Sequence, residues 1–318
     1  MLKILPLKED HIEDAAALVC SRYANLCEQI PYIPHRYTQP ASIQSLLAEI
    51  MQTAPPGVVA IESGRLTGFL TGWQMPSFRG KRCTYSPEWA NATNLADSHR
   101  LYEEMYTHLA DIWVADRYLS HYISVFPNDV DALRTWYWMN FGMFAVDALR
   151  GLDSIHSGNS VHIRRAELGD IELVMELHED LWMYMQGTPV FFLAEKRERS
   201  YYEEWLQNPG KAVWLACRPD RPVAFMRLGP ADDDACTIII DEKTTSIYGA
   251  FTKEEVRGSG IATALLDHAL KSARASGYER CAVSFEPMNL LGRRFWLRYF
   301  KPVCISVVRH IDERLTRS

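Results

Sequence analysis

This chain carries one pattern written twice, and that repeat constrains its fold more than any other feature. Ile4 and Ile12 frame the segment ILPLKEDHI, and Ile163 and Ile171 frame IRRAELGDI, at an offset of 159 residues. The same offset relates HYISVFP, starting at His121, to RCAVSFEP, starting at Arg280. Each copy also carries two apolar segments joined by a polar turn, Val58 to Gly72 and Val213 to Gly229. Each ends on an aromatic segment, TWYWMNFGM in the first and RRFWLRYF in the second. Solenoids repeat every ~20–50 residues, so a period this long indicates a duplicated domain. The length agrees, because 159 is half of 318. A domain of that size buries roughly two thirds of its unfolded surface and can hold its own core.

The segment GLDSIHSGNS, Gly151 to Ser160, is rich in Gly, Ser and Asn and reads as a linker. The expected division is therefore a domain over 1–150, a linker over 151–160 and a domain over 161–318. Within each copy the order reads strand, helices, hairpin, strand, helix, strand, helix. That order predicts an α/β fold with a mixed sheet, two such domains in tandem.

Charge and cysteine usage narrow the function. The net charge is −6, and both halves are mildly acidic. Neither offers the basic footprint of a nucleic-acid binder. The cysteines at 20, 27, 83, 217, 236, 281 and 304 form no CxxC pair, which argues against a disulfide framework or a zinc site. The histidines show no HxxxH or HxH spacing, so no metal is expected. No apolar run approaches the ~18 residues of a membrane span. The opening MLKILPLKEDHIED turns charged too early for a signal peptide. Together these features predict a cytoplasmic protein without a membrane partner.

The strongest chemical signal lies in the second copy. A strand, Ser246 to Thr252, leads through a polar turn into Arg257-Gly258-Ser259-Gly260-Ile261-Ala262-Thr263. A helix comes next, with Ile261, Leu265, Leu266, Ala269, Leu270 and Ala273 on one face. Small residues at 258, 260 and 262 let the backbone approach a ligand. The free N–H groups and the dipole of a helix start suit a pyrophosphate. A P-loop would need Lys and Ser or Thr after its last glycine, where Ile261 and Ala262 stand. A dinucleotide fingerprint would need a third glycine, where Thr263 stands. The nucleophile elbow GxSxG would need glycine at Arg257.

The pattern Arg257-x-x-Gly260-x-Ala262 resembles the acyl-CoA loop of the GNAT N-acyltransferase superfamily. The likeness continues through the strand Cys281 to Phe285, then Asn289, Phe295-Trp296 and Phe300-Lys301-Pro302, and covers 161–318 in element order. The resemblance implies a transferase that passes an acyl group, most simply acetyl from acetyl-CoA, to an amine by direct attack. It implies CoA contacts from Ala250, Phe251, Thr252, the loop Arg257 to Thr263, Asn289 and Trp296. Backbone donors near Ala250 would stabilise the developing oxyanion. The family often uses a tyrosine where this chain has Trp296, and indole is no acid at neutral pH. Tyr299, one turn further on, is the substitute acid, with a packing role as its alternative. Glu286 is the candidate base.

The first copy lacks the loop. At the same offset Ser98, Arg100, Leu101 and Glu103 stand opposite Arg257, Ser259, Gly260 and Ala262. The region reads as a plain helix, His99 to Ala115, with Leu101, Met105, Leu109, Ile112 and Trp113 as its buried stripe. The first domain thus resembles a degenerate GNAT-like copy, and one CoA site per chain is expected. The acceptor is a small-molecule or peptide amine, and a homodimer is open. The rival reading is a non-catalytic acyl-CoA-binding or regulatory protein. Two lesser features are the aromatic loop around His35 and the run Asp232-Asp233-Asp234, a polar turn and weak cation candidate.

Overall fold

The computed structural model describes all residues except 54, 157, 159, 188, 194, 195, 220, 232–235, 317 and 318. The Asp232–Asp234 run lies outside the described residues. Among the described residues, no helix is long and apolar enough to cross a membrane. The chain forms two compact units, one of Met1–Val146, Cys236–Ile238 and Pro302–Ser318, the other of Asp147–Ala235 and Ile239–Lys301.

In chain order the first unit starts with β1 (Leu2–Pro6), α1 (Ile12–Gln29) and α2 (Pro40–Gln52). The strands β2 (Gly57–Glu62), β3 (Arg65–Thr71), β4 (Trp73–Phe78), β5 (Lys81–Ser86) and β6 (Asn91–Thr93) come next. Then come α3 (Ser98–Ala115), β7 (Ser120–Val125), α4 (Val130–Trp138) and β8 (Gly142–Gly151), which passes into the second unit at Asp147. α1 buries Ala15, Ala16, Val19, Tyr23 and Leu26, the spacing of one helical face. α3 buries Leu101, Tyr102, Met105, Tyr106, Leu109 and Trp113. Ile112, expected in that stripe, is 44% exposed. Tyr102 and Tyr106 take the inner positions, one residue round the helix. Trp89, Trp113 and Trp136 are fully buried, whereas Trp138 is exposed and His35 stands on the surface.

The second unit continues with β9 (His162–Arg165), α5 (Ile171–Gln186) and α6 (Arg199–Gln207). The meander β10 (Ala212–Arg218), β11 (Arg221–Pro230) and β12 (Thr244–Thr252) leads to α7 (Ile261–Ala275), β13 (Arg280–Phe285) and α8 (Leu290–Tyr299). The last strand is β14 (Lys301–His310). The sheet order in this unit is β13-β12-β11-β10-β9. The predicted face of α7, from Ile261 to Ala273, is buried throughout.

These bounds depart from a division at 150 and 161, because β14 belongs to the first unit. It pairs antiparallel with β7, from Ile305↔Val125 to His310↔Ser120. β14 reads as a strand of β-branched residues with a buried middle. Such a pattern states that a strand is central but not which neighbours flank it. The linker is also anchored: the Ile155 N–H donates to the Asp267 carboxylate of α7 at 2.8 Å.

Candidate functional site

β12 runs parallel to β13 from Thr244↔Arg280 to Ile247↔Val283. Against β11 its register shifts so that Ile247 faces Leu228 and Gly249 faces Arg227, leaving Tyr248 as the extra residue of a bulge. A bulge bends its strand and re-aims the residues beyond it. Past Tyr248, β12 stays paired with β11 as far as Ala224↔Thr252, and a cleft of about 380 Å³ opens on the β13 side.

Ala250, Phe251, Thr252, Arg257, Gly258, Gly260, Ile261, Ala262, Thr263, Asn289 and Trp296 all line this one cleft. The loop at its rim takes shape from two glycines. Gly258 and Gly260 have φ of +75° and +83°, a region that side chains with a Cβ resist. A Cβ at Gly258 would meet nothing within 4 Å, so conformation rather than space demands glycine there. Gly260 heads α7 without a side-chain cap. The first helical bond runs from the Ala264 N–H to the Gly260 carbonyl at 3.0 Å. The amides of Ile261, Ala262 and Thr263 therefore precede the helix's own bonding and sit at its positive end. Anionic oxygens fit such a cradle.

The cationic side chains at the rim brace the loop. Arg257 donates from Nε to the Thr252 carbonyl at 3.0 Å and stacks over Tyr184 at 4.9 Å. It closes the turn between β12 and α7. Lys253 pairs with Glu176 at 2.9 Å and Asp180 at 3.4 Å, tying the turn to α5. Hydrogen bonding to Glu176 raises the Lys253 pKa, so the tie holds throughout the neutral range. Asn289 caps α8, accepting from the Gly292 N–H at 3.0 Å and from the Tyr184 hydroxyl at 3.0 Å. A Cβ at Gly292 would stand 2.7 Å from Asn289 Nδ2, so the amide would have to shift to keep this cap.

Three predicted residues stand off the cleft wall. Ser259 turns back and donates to the Val256 carbonyl at 2.6 Å. Glu286 lies just past the end of β13, where its carbonyl accepts the Asn289 N–H at 3.0 Å. The Tyr299 hydroxyl lies 3.0 Å from Thr263 Oγ1, beside the first turn of α7. Trp296 is buried between Phe295 at 4.9 Å and Phe300 at 5.6 Å and presents its ring to the cleft.

The sequence reading missed the wall supplied by Leu181 and Tyr184 of α5 and by Phe225 and Met226 of β11. It also missed His178, 2% exposed, whose ring lies 4.2 Å from that of Phe225. Burial, aided by the charge of Arg227, pushes its pKa down to about 3. The imidazole is neutral, and Nδ1 carries the proton because it faces the Val174 carbonyl at 3.0 Å. A polar residue inside an apolar helical face was the available signal.

Comparison with known proteins agrees with this geometry. Residues 174–300 match the model of the acetyltransferase (GNAT) family. The chain is similar to a GCN5-related N-acetyltransferase from Sphaerobacter thermophilus at 11% identity and a TM-score of 0.58, covering 97% of this chain and 95% of that one. It is also similar to a GCN5-related glucosamine N-acetyltransferase region in a fungal multi-domain GH3 β-N-acetylglucosaminidase, at 12% identity and a TM-score of 0.53. There it covers 96% of this chain but spans only 38% of the fungal protein. At such identities the likeness is one of fold. No curated protein matches the sequence. Residues 174–300 are thus similar to the acetyltransferase (GNAT) family, and the chain carries the GNAT fold along nearly its whole length.

Proposed function

We propose that the second unit is an acyl-CoA-dependent N-acyltransferase, using acetyl-CoA and passing the acyl group directly to an amine. The observation that carries this reading is the split between β12 and β13, closed at one end by the Gly258–Gly260 loop. The amides of Ile261, Ala262 and Thr263 would hold the pyrophosphate. Ala250, Phe251 and Thr252 would flank the pantetheine arm, with Trp296 on the opposite wall. Bound acetyl-CoA supplies an activated acyl carbon held by a sulfur leaving group. Backbone N–H groups of β12 would stabilise the oxyanion as the amine attacks; one such donor typically contributes ~3 kcal/mol.

Two protons must move. The attacking amine loses one and the departing sulfur gains one. Glu286 and Tyr299 stand back from the cleft wall, so transfer through either would run over water. Tyr299→Phe separates acid from scaffold: a fall in kcat of about 100-fold assigns the sulfur's proton to Tyr299, and about threefold assigns it to solvent.

The experiment that tests the whole reading has two arms. Calorimetric titration should find one CoA site per chain, lost in Gly260→Leu; two equivalent sites would refute the assignment. Acetyl-CoA with a panel of amines should release free thiol. CoA binding without release from any amine would favour a non-catalytic binder, the reading that the indole of Trp296 supports.

A further inference from the structure

We propose that the amine acceptor carries a carboxylate next to its amine, as an α-amino acid does, and that Arg227 of β11 binds it. This inference rests on the acyltransferase reading above. Arg227 is 8% exposed, and its Nε–H is buried without an acceptor. Its other donors reach the Tyr201 hydroxyl and the Tyr248 carbonyl, each at 3.1 Å. No carboxylate among the described residues pairs with it. Arg22, the other fully buried arginine, faces Asp129, and the half-buried Arg280 faces Asp241 at 2.5 Å. A buried guanidinium without an anion is costly, and an anionic ligand would remove that cost.

The geometry leaves one edge for that ligand. The guanidinium stacks over Trp205 at 4.5 Å and near Tyr201 at 5.5 Å, which occupies its faces and leaves its in-plane donors for hydrogen bonding. Across from it stands Gly249, its partner in the β11–β12 register. A Cβ at Gly249 would lie 3.5 Å from Arg227 Nε, 3.7 Å from Nη2 and 3.6 Å from the ring of Phe225. The missing side chain leaves methyl-sized space against the Nε–Nη2 edge, the fork that carboxylates bind in a bidentate way, so a carboxylate entering there displaces the groups that now cover Nε.

That place adjoins the reaction path. Phe225 borders both it and the cleft. The carbonyl that Arg227 holds belongs to Tyr248, where β12 parts from β13. A carboxylate on this fork sets an amine one carbon away at the throat of the split. The CoA phosphates have their own cradle on the α7 side of the loop, so they do not compete for Arg227.

The test compares L-amino acids with their primary amides as acceptors, reading free thiol from acetyl-CoA. The acid of a pair should exceed its amide in kcat/KM by about 30-fold or more, and Arg227→Met should abolish that preference through KM while retaining CoA affinity. Gly249→Ala, which places a methyl on the same ground, should erode the preference about tenfold and keeps the test available if Arg227→Met fails to fold. Amides equal to acids, or a preference that survives both changes, overturns the proposal. If CoA binds but no amine is acylated, the same acids and amides are titrated into the CoA-loaded protein. Acid binding lost in Arg227→Met supports the proposal, and no acid binding overturns it. Loss of the CoA-induced thermal shift in the unaltered protein would instead sink the acyltransferase reading, and this inference with it.

Discussion

The two units solve the same split strand in opposite ways. In the second, a single β12 pairs with β11 on one side and with β13 on the other, and the bulge at Tyr248 opens the cleft. In the first, the corresponding work is divided between β5, parallel to β7, and β6, antiparallel to β3. Between them runs Pro87–Ala90, and the gap is stitched shut: Asn91 Nδ2 donates to the Ser124 and Pro87 carbonyls at 3.0 Å, and Tyr102 donates to Asn91 Oδ1 at 3.1 Å. The helix starts differ as well. α3 has 18 residues and α7 has 15, yet both end five residues before the next strand. The extra turn of α3 occupies the ground of the glycine loop, with Arg100 salt-bridged to Asp97 at 2.5 Å. A binding cleft is thus a core left unfinished. Finishing it takes one amide side chain and one turn of helix.

The caps of α4 and α8 give the strongest way to break this comparison. Asp129 and Asn289 each cap the helix directly after them, but Asp129 also pairs with Arg22, and both members are buried. Asp129→Ala should cost ~3–5 kcal/mol in denaturant unfolding, because it strands a buried charge. CoA affinity in the folded protein should stay unchanged. Gly260→Leu should do the reverse, weakening CoA binding by more than about 100-fold and costing only ~1–2 kcal/mol of stability for a side chain at positive φ. A Gly260→Leu protein that still binds CoA would erase the distinction between the units.

Acid should find a liability that the units share. Burial holds His121 neutral, with its pKa pushed down to about 4, as it does His178 at about 3. The unfolded chain takes up these protons below its ordinary value of ~6.5, and the native state does not. The contribution of these two histidines to stability is therefore constant above that pH and falls below it, by up to ~1.4 kcal/mol per pH unit for each. Replacing either with Phe should flatten the urea-derived slope by one proton; an unchanged slope would refute the burial argument. The smallest effect is expected of Asn289→Ala, about 1 kcal/mol for a lost cap, with CoA affinity lowered severalfold.

The sequence made the loop legible because its requirements are local. Positive φ at Gly258 and Gly260, and a helix start behind them, leave their mark within a few residues. The apolar face of α7 was equally plain, since helical period and burial coincide there. Arg227 and His178 were much less legible, for the opposite reason. Arg227 lies inside an apolar strand and His178 on the apolar face of a helix, and each role depends on other elements of the chain, Trp205 and Gly249 for the one and Phe225 for the other. Glu286 and Tyr299 came from element order, which predicts which end of a strand or helix a residue occupies but not where its side chain turns. The Ile112 assignment shows the same limit, for a stripe read from apolarity overlooked that tyrosines can be core.

The membership of β14 in the first unit bears on how the protein is made. β7 is flanked by a strand whose residues lie about 180 positions downstream, as in Val125 and Ile305. At a synthesis rate of ~5–20 residues per second, the first unit waits roughly 10–40 seconds on the ribosome with β7 lacking this partner. The unit translated first is thus completed last. Through that interval an apolar strand edge is open to any chain that can pair with it, the condition under which nascent proteins most need a chaperone.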